Sequence, residues 1–208
     1  MGPNKQFTVR AVHCQHEATE EQTYEALRRA TEPLTVAWER LEKAGRIGLK
    51  INQDMRLDEL VSHKAIWQQL VCDKVVRAVL RLLRERTSAK IVCTDVSYYG
   101  MYNGTDPTET ATALPALHEY GVEYVVGSQA PTGMYEVSGG GQMFARYVLP
   151  QPTVECDEFI SLAKMKNHAF MGITLSLKNL FGLMPGGPTG PYAALFPPSG
   201  SYALHARR

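Results

Sequence analysis

The chain has 208 residues, 44% of them hydrophobic, and a formal net charge of +1, enough apolar mass for one sizeable core in a single domain. The near-neutral balance argues against a chain built to coat nucleic acid or a membrane surface. No run reaches transmembrane length, MGPNKQFTVR lacks the apolar stretch of a signal peptide, and four scattered cysteines without a C-x-x-C pair argue against an internal zinc or iron–sulfur motif and suggest a cytoplasmic protein.

In chain order, Phe7 to Val12 alternates and is β-branched enough for a first strand. From about Glu20 to Ala44 the period is helical, with Tyr24, Leu27, Leu34, Trp38 and Leu41 as the apolar stripe and Pro33 as a kink or break. RIGLKI, Arg46 to Ile51, reads as a second strand. A long helix is expected from Lys64 to Arg86, where Ile66, Leu70, Val75, Val76, Val79, Leu80 and Leu83 recur at helical spacing. AKIVCTDV, Ala89 to Val96, is a continuous apolar run suited to the middle of a parallel sheet.

The turn residues of Ser97 to Pro107 precede a short helix, Glu109 to Tyr120, stopped by Gly121. Strands are expected at Val122 to Val126, near Phe144 to Leu149, and at Glu158 to Ala163. Ser138 to Gly141 lacks the Lys and Ser/Thr of a phosphate-binding loop and reads as a turn. The residues from Met184 onward are rich in Gly and Pro, a tail or a lid. Alternating strands and helices predict one α/β domain with a Rossmann-like, mostly parallel sheet and flanking helices, in which ligands gather beyond the carboxyl ends of the strands.

Charge is unevenly spread. After Glu158 there is no Asp or Glu, while Lys164, Lys166, Lys178, Arg207 and Arg208 give the last fifty residues +5 and leave −4 for the first 158. Half-buried cations without a protein counter-ion call for an external one. Lys164 and Lys166 are two apart and leave a strand on one face. His168 is expected to open a helix carrying Gly172, Thr174, Ser176, Lys178 and Asn179, with Met171, Leu175, Leu180 and Leu183 as its core stripe. A strand end, a helix start and paired lysines, with Asn167 between them and His168, favour a carboxylate or phosphate. Lys50 and Asn52 leave one neighbouring strand end, and Asp95 and Ser97 another. His13 and His16 read as surface residues rather than a metal pair.

The run DEFISLAKMKNHAFMGITLSLKNLFGLMP, Asp157 to Pro185, resembles the signature of the domain-of-unknown-function 362 family. GLKIN, 48 to 52, resembles that family's strand end, although Ile51 replaces its proline, and the helix and strand over 73 to 95 fit as well. The resemblance implies a chain lacking the family's C-terminal half and linked to iron–sulfur redox chemistry, the cluster coming from a missing part or a ferredoxin-type partner. His168, Gly172, Thr174, Lys178, Pro185 and Gly186 are also distantly similar to the H-x-x-x-G-x-S/T-x-x-x-K and P-G pattern of the nickel-pincer lactate racemases. That similarity implies a 2-hydroxy-acid racemase or epimerase in which Lys178 carries the pincer nucleotide and His168 moves the proton. In a third reading the chain is a non-catalytic docking module for a ferredoxin partner. The resemblances single out His168 and Lys178 as catalytic; the residues alone imply a small anionic ligand.

Overall fold

A computed structural model describes residues 9–53, 55, 57–95, 111–142, 144–168 and 171–184. Phe7, Thr8, the Ser97 to Pro107 loop, Pro185, Gly186 and the Gly/Pro-rich segment after Met184 lie outside these residues.

From Val9 to Val12 the described chain is irregular rather than a strand: Val9 is 90% and Val12 41% exposed, so the alternation there finds no sheet to pack on among the described residues. Helix α1, Glu20–Thr31, starts at a capping box in which Gln22 N donates to Thr19 Oγ1 at 3.1 Å and Thr19 N to Gln22 Oε1 at 2.9 Å. Such a cap stabilises a helix by about 1 kcal/mol. Pro33 ends α1, and α2 runs over Thr35–Lys43. Trp38 Nε1 donates to the Thr31 carbonyl at 2.8 Å and holds the break closed. The stripe of Tyr24, Leu27, Leu34, Trp38 and Leu41 faces the core as its period requires.

Strand β1, Arg46–Ile51, is followed by a small hairpin of β2, Ser62–His63, and β3, Ile66–Trp67. The expected long helix is therefore shorter at its start: α3 covers Asp73–Arg86. The reason lies in Lys64 and Ala65, whose φ of 48° and 62° make a tight hairpin turn without the Asn or Gly that usually marks one. Next come β4, Lys90–Asp95; α4, Leu114–Glu119; and β5, Glu123–Val126, with Gly121 at φ 62° ending α4.

An antiparallel pair follows, β6 (Thr132–Glu136) with β7 (Arg146–Pro150), joined through the Ser138–Gly140 turn; β6 has no counterpart among the sequence expectations. The short α5, Gln151–Val154, leads to β8, Glu158–Leu162. Strands β5, β4, β1 and β8 form one parallel sheet in that order, so the α/β, Rossmann-like architecture stands.

Helices α1 to α4 lie against a core built from Ile47, Leu49, Ile51, Ile91 and Cys93 of the sheet and Val76, Leu80, Leu83 and Leu117 of the helices. Each fully buried side chain of this size contributes roughly 1.5–3 kcal/mol of transfer free energy. Gly48, on the alternate positions of β1, lies so close to Phe159 of β8 that a methyl group there would overlap the ring. At the amino end of β1, Asp157 Oδ2 accepts from the backbone N–H groups of Gly45 and Arg46, each at 2.9 Å. Asp157 thus fixes strand register at the end of the sheet away from the site.

Candidate functional site

The chain leaves β1 toward β4 and β5, whereas β8 lies on the other side of β1. The switch in direction falls between β1 and β8, and a crevice beyond their carboxyl ends is where such a sheet takes its ligands. Lys50 stands there, paired in register with Thr94 on one side and Ser161 on the other.

Lys50 and Asp95 form an ion pair at 2.7 Å, with side-chain exposures of 2% and 4%. The Lys50 ammonium also donates to the Ile51 carbonyl at 2.6 Å and to Asn179 Oδ1 at 3.2 Å. An ammonium has three protons to give, and all three are committed. The other Asp95 oxygen accepts from Gln53 N at 2.8 Å, and Gln53 Oε1 accepts from Thr112 Oγ1 at 2.9 Å and Ala113 N at 3.0 Å. Asn179 Nδ2 returns to the Lys50 carbonyl at 3.0 Å and to Ser161 Oγ at 3.1 Å, while Ser161 donates to the Ser176 carbonyl at 3.0 Å. This network ties the ends of β1, β4 and β8 to the segment that follows them.

That segment is built differently from the sequence expectation. His168 opens no helix. Lys166–His168 forms β9, which pairs with β10, Gly172–Thr174, as an antiparallel hairpin, and the helix α6 is only Ser176–Leu180. Gly172 has φ 74°, and a methyl group on it would meet nothing within 4 Å. It serves the backbone conformation of the hairpin, not a close approach inside a helix. The shared helical face of His168, Gly172, Ser176 and Asn179 does not exist, nor does the helix start that was to bind the anion. Met171, Ile173, Leu175 and Leu177 are 50%, 48%, 47% and 86% exposed, so the expected core stripe holds only at its end, where Leu180 is half-buried and Leu183 is buried.

The predicted site residues therefore separate. Lys50, Asp95 and Asn179 come together, but mainly to satisfy one another. Lys166 donates to the Gln69 carbonyl at 2.7 Å, and Lys164 lies outside β8 and β9, so the two lysines do not share a strand face. His168 Nδ1 accepts from Met171 N at 3.3 Å across the hairpin turn. Asn167 and Ser176 are exposed. Thr174 is 4% exposed, and its hydroxyl has no hydrogen-bond partner among the described residues; the buried Asn52 Oδ1 has none among them either.

Lys178 is half-buried, and its amine stands 4.6 Å from the centre of the Phe181 ring. Burial, and next the Lys50 charge, lower its pKa from the ordinary lysine range, with Asp95 opposing. Two residues that the sequence reading missed complete the arrangement. Gln53 sits in the run GLKINQ, where its 1% exposure has no local signal. Gly182 lets the turn over Phe181–Leu183 close on the ion pair: a methyl group there would be 3.0 Å from Lys50 Nζ and 3.1 Å from Asp95 Oδ1. A glycine inside the apolar run LFGLM was its only trace in the sequence.

Among the described residues, no group of three or more His, Cys, Asp or Glu is placed to hold a metal ion. The cysteines are free, and burial pushes the Cys93 thiol well up from its usual range and raises that of Cys156. No helix among the described residues is long and apolar enough to cross a membrane. A family model described as Domain of unknown function (DUF362) matches residues 66–197, well over half of the chain, and begins after β1. No curated protein and no solved structure matches.

Proposed function

The chain belongs to the domain-of-unknown-function family DUF362, and we propose that it binds a small carboxylate or phosphate at the carboxyl-end crevice between β1 and β8, with Lys178 as the counter-charge. One charge count carries the reading. Lys50 and Lys178 are two cations near one carboxylate, Asp95, and Asp95 is held by Lys50. Among the described residues, the Lys178 ammonium meets only the ring of Phe181. A half-buried cation left in this way favours an anion from outside. The Thr174 hydroxyl, four residues earlier and without a partner among the described residues, is a donor of the kind such an anion needs, and the last fifty residues add no carboxylate side chain to compete. Lys50 has no proton left for a ligand, so its part is to hold the floor of the crevice.

The test is the thermal midpoint of the full chain titrated with inorganic phosphate and with acetate at fixed ionic strength. A ligand that binds only the folded state stabilises it by RT ln(1 + [L]/Kd), about 2.7 kcal/mol at a hundred times Kd. The wild type should be stabilised by at least one of the two, Lys178→Gln should lose the effect, and Thr174→Val should weaken it. An equal shift in wild type and Lys178→Gln would refute the reading.

A further inference from the structure

Lys178 sits on a turn that is pinned to the sheet. Its neighbour Asn179 is anchored to Lys50 twice, accepting from Nζ at 3.2 Å and donating to the carbonyl at 3.0 Å. Lys50 in turn cannot move aside, because Ile51 and Asp95 hold the same ammonium at 2.6 Å and 2.7 Å. The result is a half-buried amine within the field of a second, firmly held cation, with Phe181 against it and no carboxylate paired with it among the described residues. Such surroundings favour the neutral amine, and the neutral amine is the nucleophile.

Resting on the anion-binding reading, we propose that the ligand is a small oxo acid, a carboxylate with an adjacent carbonyl, and that Lys178 Nζ forms a reversible imine with that carbonyl. The amine lone pair forms a C–N bond as the carbonyl π pair moves to oxygen, and a proton passes from nitrogen to that oxygen to give the carbinolamine. Protonation of the hydroxyl and loss of water then give the iminium. Nothing is oxidised or reduced. The iminium carries the same positive charge as the ammonium it replaces, so the ligand carboxylate keeps its counter-ion after the bond forms. An uncharged aldehyde would gain the bond but not the charge pairing.

The probe is glyoxylate, added to the full chain at neutral pH with cyanoborohydride, which reduces any iminium to a stable carboxymethyl-lysine that peptide mapping locates. Lys178 should be modified several-fold more than the exposed Lys43, and uncharged glycolaldehyde should label it less than glyoxylate does. Lys178→Arg, which keeps the charge, should remove that modification and leave Lys43 labelling unchanged. Modification of Lys178 no faster than Lys43 overturns the imine. Equal labelling by glycolaldehyde overturns the oxo-acid assignment. If phosphate or acetate still stabilises the protein while Lys178 stays unmodified, only the imine falls; if both effects are absent, the anion site falls with it.

Discussion

Replacing Asp95 by Asn removes the only carboxylate that faces the Lys50 ammonium within ion-pair distance among the described residues, while keeping the side chain's size and an oxygen for the Gln53 N–H. The two charged groups are 2% and 4% exposed, so the stranded ammonium cannot recover its hydration. Breaking a buried pair on one side costs about 3–5 kcal/mol, a large part of the 5–15 kcal/mol that holds a typical domain together. With an m value near 2 kcal/mol/M, the urea midpoint should fall by roughly 1.5–2.5 M. The pair itself is not the source of stability, because desolvation offsets most of its attraction. Lys50→Met combined with Asp95→Leu should therefore recover most of the loss. The assay is equilibrium urea unfolding of the wild type, both single variants and the double variant. A loss below about 1 kcal/mol in Asp95→Asn, or a double variant worse than either single one, would show that water reaches the pair and would refute the reasoning.

Two further outcomes follow from the same cluster. Lys178→Met should raise the thermal midpoint at neutral pH, because it removes a charge held below its ordinary pKa by burial and by Lys50. Between the lowered folded-state value and the ordinary lysine range the unfolded chain binds more protons, so wild-type stability rises with pH through that window. The advantage of Lys178→Met should accordingly be largest below the window and shrink across it, and destabilisation at neutral pH would contradict the assignment. Gly182→Ala should cost about 1–3 kcal/mol through overpacking, since the methyl group meets Lys50 and Asp95 at 3.0–3.1 Å and Lys50 has no second place to go; urea unfolding checks it.

The sheet was legible in the sequence because its signals are local and redundant. RIGLKI and KIVCTD are short, apolar and β-branched, and both are interior strands. The Pro33 break and the Gly121 stop act through a single fixed or permitted φ, which one residue is enough to announce. What failed was the choice of period where two readings overlapped. From Ile66 to Leu70 the apolar spacing suits a helix, but the chain reverses at Lys64 and Ala65 without turn-type residues. From His168 to Asn179 polar groups recur at helical intervals by coincidence, and the hairpin is set by Gly172. The site suffered most because its contacts are distant in sequence: Lys50 and Asn179 are 129 residues apart. The right residue types were found at Lys50, Asp95, Lys178 and Asn179, but not the fact that three of them satisfy one another and leave the fourth half-buried against the Phe181 ring.

That separation sets an order of events on the ribosome. At 5–20 residues per second, roughly 6–26 s pass between synthesis of Lys50 and the arrival of Asn179, and Gly182 comes later still. Until then the lysine at the end of β1 remains hydrated, whatever the earlier strands have done. The network that joins β1 and β4 to α6 is thus the last part of the described fold to close, and its buried ion pair is the part a growing chain completes latest.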